Sequence, residues 1–147
     1  MKIIVSACLL GVDCKYNGSN NRDERVIALG NDHELIPICP EMEGGLPCPR
    51  IPCEICRGKI LSKDGKDFTR EYEMGAKLCL KKALDEKAEL AILQPRSPSC
   101  GVDQIYDGTF SGQLIDGDGV FASMLKSHKI PVVKPNSISV VNDKILL

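Results

Sequence analysis

Short, uninterrupted apolar runs alternate along the chain with segments in which apolar residues recur every three or four positions. The run "KIIVSA" is rich in β-branched residues, a pattern typical of a buried strand. Residues 69–87 instead carry apolar side chains at helical spacing, with Thr69 as a candidate N-cap. The same patterns predict strands at residues 2–7, 34–39, 88–94 and 130–135, and helices at residues 23–30, 69–87 and 119–129.

The order of these elements is typical of an α/β protein. We predict a single domain over residues 1–147, with a Rossmann-like, mostly parallel sheet flanked by helices, in which Pro37 marks an edge strand. A small β-hairpin is predicted to turn at Asp64-Gly65, and a terminal hairpin around Asn142-Asp143. Residues 96–119 are predicted to form a long, glycine-rich loop.

Charge and hydropathy narrow the classes of function. The chain has 19 Lys and Arg against 20 Asp and Glu, with no basic stripe, so no nucleic-acid partner is expected. It has no clear signal peptide and no apolar run long enough to span a bilayer, so we expect a cytoplasmic protein without a membrane partner. The sequence does not predict an oligomeric state.

Eight cysteines are the most unusual feature of the composition. Because cytosolic thiols are kept reduced, clustered cysteines in such a protein point to metal binding or catalysis rather than to disulfides. They occupy positions 8, 14, 39, 48, 53, 56, 79 and 100.

Three of them, Cys8, Cys39 and Cys100, follow predicted strands, and ligands of open α/β sheets bind at the carboxyl ends of strands. One hypothesis is that the three thiolates converge on a metal or an iron–sulfur cluster; the other is that they are small buried residues. Three thiolates would leave a [4Fe-4S] cluster one ligand short, with an iron open to substrate. Nearby polar residues are candidates for acid–base or hydrogen-bonding roles. They are Glu41, Ser97 and Ser99.

The segment of residues 39–56, "CPEMEGGLPCPRIPCEIC", permits two other interpretations. Cys48, Cys53 and Cys56 would hold a zinc ion in a structural or regulatory module. Alternatively, Cys53 and Cys56 would form a Cys-x-x-Cys redox pair. Farther along, "YDGTFSG" at residues 106–112 is consistent both with a cradle for a small polar ligand and with a tight turn.

Three blocks of sequence together resemble the thiouracil desulfurase family, once catalogued as domain of unknown function 523. They are "VSACLLGVDCKYNG", "CPEMEGGLPCPRIPCEI" and "SPSCGVDQIYDGTFSGQLIDGDGV", which fall in the family's order between about residues 4 and 133. The resemblance implies an oxygen-sensitive [4Fe-4S] cluster with a non-redox role, bound by Cys8, Cys39 and Cys100. Glu41 is similar to the family's acid–base residue, and Ser97 or Ser99 to a second helper.

The resemblance also implies an activity. A small thiolated compound, such as 2-thiouracil or a related thiolated pyrimidine, would bind through its sulfur to the open iron. Non-redox hydrolysis would convert the thiocarbonyl to a carbonyl and leave sulfide on that iron. The chain departs from the pattern we expect of the family in having additional loop cysteines, which leave room for another ligand near the open iron. These are Cys14, Cys48, Cys53 and Cys56.

Overall fold

The structure is a computed structural model that describes residues 1–141 and 144–146, with side chains described for residues 1–138. Its strands are β1 (Lys2–Ser6), β2 (Glu34–Ile38), β3 (Cys53–Cys56), β4 (Lys59–Ser62), β5 (Leu90–Ile92), β6 (Gln104–Tyr106), β7 (Leu114–Asp116), β8 (Val132–Val133), β9 (Ser139–Val141) and β10 (Lys144–Leu146). Its α-helices are α1 (Glu24–Ala28), α2 (Pro40–Glu43), α3 (Thr69–Asp85) and α4 (Val120–Ser127). Short 3-10 helices lie at Ala7–Leu10, Leu29–Asn31 and Pro135–Ser137.

Four parallel strands form the central sheet in the order β2-β1-β5-β8. Ile4 of β1 pairs with Ile36 of β2 on one side and with Ala91 of β5 on the other. Ile3, Ile4 and Val5 are fully buried, as expected for a parallel strand that is covered on both faces. Pro37 lies in β2, which is an edge strand, as predicted.

Each face of this sheet carries its own apolar core, because successive side chains along a strand point to opposite faces. Ile4 packs with side chains of α3 and α4, including Ala76 and Phe121. Ile3 and Val5 pack on the other face, in a cluster with side chains of α1 and the segment after it. The prediction of a Rossmann-like α/β fold with a mostly parallel sheet is therefore confirmed. None of the described helices is long and apolar enough to cross a bilayer.

The predicted turn at Asp64-Gly65 is present, with an antiparallel bridge between Leu61 and Asp67, but a hairpin that was not predicted precedes it. This hairpin pairs β3 with β4, so Cys53–Cys56 is a strand rather than a loop. The chain reverses at Arg57 and Gly58, which both have positive φ, as type I′ turns require. Gly65 does adopt a positive φ, but the turn at Asp64-Gly65 lies beyond β4.

Local features of the other predicted segments also differ from expectation. Phe68, not Thr69, occupies the N-cap position of α3, and the Thr69 hydroxyl instead accepts the amide hydrogen of Ile60. The predicted glycine-rich loop contains the antiparallel pair β6–β7, and the segment after β2 contains α2. A terminal hairpin forms between β9 and β10, although its expected turn, Asn142-Asp143, lies outside the described residues.

Candidate active site

The strand order places one cavity at the carboxyl end of the sheet. From β1 the chain continues to β2 on one side and later returns to β5 on the other, and this kind of switch point is where open α/β sheets bind ligands. The segments leaving β1, β2 and β5 carry Cys8, Cys39 and Cys100 in turn. All three cysteines line a cavity of about 550 Å³. The structure therefore brings together the three cysteines that strand-end position selected.

A fourth thiol, Cys14, belongs to the same wall of the cavity. It is buried, and its carbonyl oxygen accepts a hydrogen bond from the Cys39 thiol at 3.8 Å. The side-chain interaction with Cys39 lowers the pKa of Cys14, but the interaction with Cys8 and burial outweigh it and raise the pKa to about 11. From the sequence we predicted only that Cys14 is a loop cysteine. Its spacing does not indicate that this loop folds back toward Cys8.

Cys14, Cys39 and Cys100 are held in a setting that disfavours their free thiolates. The side-chain interaction with Cys14 and burial raise the pKa of Cys39, and burial raises that of Cys100. A bound metal centre reverses this preference, because its positive charge stabilises coordinating thiolates. Three thiols that line one cavity, from the segments after three strands of the sheet, are a donor set that fits an iron–sulfur cluster.

Glu41 reaches the cavity because α2 packs very closely against α3. A Cβ atom added to Gly75 of α3 would lie 1.7 Å from the carbonyl oxygen of Pro40. A Cβ atom added to Gly44 would lie 2.0 Å from the carbonyl oxygen of Glu71. Only glycine at both positions permits this approach of the two backbones. The close packing fixes the start of α2, and with it Glu41, against the side chains of α3.

The Glu41 carboxylate is 8% exposed, lines the cavity and accepts three hydrogen bonds. Oε1 accepts from Arg50 Nε at 3.0 Å and from the Tyr72 hydroxyl at 3.1 Å. Oε2 accepts from the Ser99 hydroxyl at 2.6 Å. Both oxygens of this buried charge are thus satisfied, and one of its partners carries the opposite charge.

The two candidate serines are arranged in series. Ser99 is fully buried and contacts Glu41 directly. The Ser97 hydroxyl lies 3.2 Å from that of Ser99 and accepts the backbone N–H of Cys100 at 2.7 Å. Because the Ser99 hydroxyl donates to Glu41, the Ser97 hydroxyl is the donor to Ser99. The geometry thus distinguishes the two serines, which the sequence alone did not.

Arg50 is a site residue that the sequence analysis missed. Its side chain is 5% exposed, and besides Glu41 it donates from Nη2 to the Cys14 carbonyl oxygen at 2.7 Å and from Nη1 to the Pro47 carbonyl oxygen at 3.3 Å. Burial opposes its charge, but the negative charge of Glu41 outweighs burial, and the pKa of Arg50 is raised. An arginine among the rigid prolines of this segment was the available signal, but its partner lies on a different element. Tyr72 was missed as well, because its helical spacing predicts only a core residue.

Cys48, Cys53 and Cys56 are not brought together. Cys53 and Cys56 lie at the two ends of β3, where residues three apart point to opposite faces and their Cα atoms are about 10 Å apart. A disulfide needs Cα atoms closer than about 7 Å, so the Cys-x-x-Cys redox interpretation does not fit. Cys48 donates to the carbonyl oxygens of Asp13 and Lys15. Within the described residues, no three or more His, Cys, Asp or Glu side chains are placed so that they could together hold a single metal ion.

Comparisons with known proteins agree with this geometry. The fold and the cavity define an α/β protein with a cysteine-lined site at the switch point of its sheet. Residues 3–137 match the family model described as 2-thiouracil desulfurase. The chain belongs to the 2-thiouracil desulfurase family, which confirms the resemblance seen in the sequence.

Two similar proteins illustrate the relationship. One is "Uncharacterized protein YbbK" of Bacillus subtilis (strain 168), which is 40% identical over an alignment that covers 93% of this chain and 97% of that protein. The other is a solved structure, the [4Fe-4S]-dependent thiouracil desulfidase TudS. It is 38% identical with a TM-score of 0.88, and the match covers 92% of this chain and 91% of that one.

Proposed function

We propose that this protein is a [4Fe-4S]-dependent desulfurase that converts the thiocarbonyl of a small thiolated compound to a carbonyl. The proposed substrate is a thiolated pyrimidine such as 2-thiouracil, and the reaction is a hydrolysis without net redox change. The observation that carries the proposal is the convergence of Cys8, Cys39 and Cys100 on the cavity that also contains the Glu41–Ser99 pair.

In this proposal, Cys8, Cys39 and Cys100 hold the cluster. Each lies in the segment that follows a strand of the same parallel sheet, and the Cys100 segment is held by the hydrogen bond from the Cys100 N–H to the Ser97 hydroxyl. When bound, the cluster supplies an iron without a protein ligand, which acts as a Lewis acid on the thiocarbonyl sulfur. Similarity to a [4Fe-4S]-dependent thiouracil desulfidase supports both the cluster and the reaction class.

Glu41 acts as the general base and later as the acid. Arg50 and Tyr72 both bind Oε1, which leaves Oε2 as the oxygen that takes a proton from the attacking water. Ser99 already donates to Oε2, so its hydroxyl must turn toward the substrate when Oε2 receives that proton. In the turned position, the Ser99 hydroxyl donates a hydrogen bond to the charge that develops on the substrate.

Ser97 assists from one step farther away. Its hydroxyl is positioned by the backbone N–H of Cys100 and faces Ser99. It therefore couples the geometry of a proposed cluster ligand to that of the Glu41–Ser99 pair. An additional zinc ion at Cys48, Cys53 and Cys56 is not part of the proposal, because β3 points Cys53 and Cys56 to opposite faces.

The test is to purify the protein anaerobically and to measure iron, zinc and acid-labile sulfide per chain, together with conversion of 2-thiouracil to uracil. About four iron and four sulfide per chain are expected, with conversion by the loaded protein. Cys100→Ala should lose the cluster, whereas Cys79→Ala, which removes a buried thiol away from the cavity, should keep it. Zinc without sulfide, retained in Cys100→Ala, would overturn the proposal.

A further inference from the structure

The cavity contains a second buried carboxylate, Glu54, for which the proposed chemistry has no use. Glu54 lies in β3, is 9% exposed and lines the cavity. One glutamate between two cysteines carries no recognisable sequence pattern. A buried carboxylate is costly unless its oxygens are hydrogen-bonded or reach water, and the two oxygens of Glu54 differ in this respect.

Oε1 of Glu54 holds the loop of residues 106–112 against β3. It accepts the backbone N–H of Gly108 at 3.0 Å and that of Phe110 at 3.1 Å. Both residues have positive φ, and a Cβ atom added to Gly108 would lie 2.8 Å from the Ile55 carbonyl oxygen. This clamp brings Tyr106 and Phe110 to the cavity, where both line the wall.

Oε2 of Glu54 is in a different situation. Within the described residues, no hydrogen bond reaches it, whereas both recorded bonds go to Oε1. Glu41 in the same cavity has both oxygens satisfied and an arginine as a partner. Oε2 is not a buried unsatisfied atom and keeps contact with solvent, so it is a free acceptor that a ligand with a matching donor can reach.

We propose that Oε2 of Glu54 accepts a ring N–H of the substrate, and that the site therefore selects cyclic thioamides with an N–H next to the thiocarbonyl. This inference rests on the proposed function. Thiolated pyrimidines carry such an N–H, and the rings of Tyr106 and Phe110 provide apolar surface for a flat heterocycle. Glu54 is then a specificity residue, separate from the Glu41–Ser99 pair that handles protons.

An acceptor inside a cavity discriminates between ligands, because a bound analogue without the donor displaces water and leaves the acceptor unpaired. Sites built to hydrogen-bond a substrate group reject analogues that lack it far better than apolar pockets reject small changes of size. The suitable analogue is 1,3-dimethyl-2-thiouracil, in which both ring nitrogens next to the thiocarbonyl are methylated. Its extra bulk is controlled by comparing both compounds in both forms of the protein.

The decisive variant is Glu54→Gln. Its amide oxygen can keep the two backbone hydrogen bonds of Oε1, while its NH2 group replaces the acceptor at Oε2 by a donor. We expect the cluster content to remain unchanged and the KM for 2-thiouracil to rise about tenfold or more, with kcat within a few fold. The wild type should prefer 2-thiouracil over the dimethyl compound by at least about tenfold, and the variant should lose this preference.

Two comparisons separate substrate recognition from loop support. Glu54→Ala should also lose hydrogen-exchange protection of the Gly108 and Phe110 amides, whereas Glu54→Gln should keep it. Glu43→Gln, which changes an exposed glutamate on α2, should leave both KM and preference unchanged.

The outcomes distinguish this inference from the function on which it rests. A protein that converts 2-thiouracil while Glu54→Gln keeps the wild-type KM and preference would overturn the role of Glu54 alone. Equal use of both compounds by the wild type would do the same. A cluster-loaded wild type that neither binds nor converts any thiolated pyrimidine would overturn the proposed function and this inference together.

Discussion

Cys8, Cys39 and Cys100 lie far apart in the sequence yet face one cavity, whereas Cys53 and Cys56, only three residues apart, face opposite sides of one strand. The first group follows three strands of a parallel sheet, whose carboxyl ends lie along one edge. The second group lies on an antiparallel hairpin, where the side-chain alternation separates residues at this spacing. Proximity in the sequence is therefore a poor guide to a shared site here, and position at a strand end is a good one.

The sharpest test of this contrast compares Cys8→Ala with Cys53→Ala, because both thiols are 7% exposed and both line the cavity. Cys8→Ala should reduce bound iron from about four atoms per chain to almost none, since a proposed cluster ligand is lost. Cys53→Ala should keep the cluster. Iron and acid-labile sulfide analysis of anaerobic protein is the measurement, and equal iron loss in both variants would contradict the contrast.

Two glutamates on the same short helix provide the next comparison. Glu41→Gln should lower kcat by about 10²–10⁴, the usual contribution of general acid–base catalysis, with the cluster retained. Glu43→Gln, at an exposed position, should leave kcat unchanged. Turnover of 2-thiouracil per loaded cluster measures both. Full turnover by a cluster-loaded Glu41→Gln protein would remove Glu41 from the mechanism.

Arg50, which precedes β3, pairs with Glu41 of α2. Its removal should lower the stability of the folded protein. Arg50→Ala should lower the free energy of unfolding by about 3–5 kcal/mol, because it leaves the buried Glu41 charge without its partner. Arg22→Ala breaks an exposed ion pair with Glu24 and should leave the free energy of unfolding nearly unchanged, because water and salt screen that pair. Urea unfolding compares the two variants. Similar midpoints would show that the buried pair contributes no more than the exposed one.

The two serines should differ in catalysis although they are neighbours. Ser99→Ala removes the hydrogen bond to Glu41 Oε2 and should lower kcat about 10- to 100-fold, as expected for a bond of about 1.5–3 kcal/mol to a charged group. Ser97→Ala should have a smaller effect on kcat, because Ser97 reaches Glu41 only through Ser99. Parallel measurements of kcat decide between them. A larger effect of Ser97→Ala would assign the direct role to the other serine.

The smallest expected effect concerns thiols outside the cavity. Burial raises the pKa of Cys79 to about 12, so below that pH its reactive thiolate is scarce in the folded protein. Folding favours the protonated Cys79 thiol over its thiolate. The contribution of Cys79 to the free energy of unfolding is therefore complete below pH 9 and is lost as the pH rises toward 12. At pH 8.5, iodoacetamide should modify the partly exposed Cys48 and Cys56 before Cys79, as mass spectrometry would show. Prior modification of Cys79 would contradict its placement.

Long periodic or uninterrupted segments were predictable because their signal is local. The helix at Thr69–Asp85 and the four parallel strands follow from apolar spacing, and the strand ends then select Cys8, Cys39 and Cys100. The turn at Asp64-Gly65 was predictable from its residues, whereas the hairpin β3–β4 was missed because Arg57-Gly58 is a weaker turn pattern.

By itself, the sequence determined the α/β class, the three strand-end cysteines and the resemblance to a desulfurase family, because periodicity, order and motif are all written along the chain. Only the tertiary structure decided which groups meet across it. The contacts of Glu41 with Arg50, Tyr72 and Ser99 join four separate segments. Glu54 likewise reaches a loop more than fifty residues away. Such contacts depend on the packing of whole elements, and no local pattern encodes them.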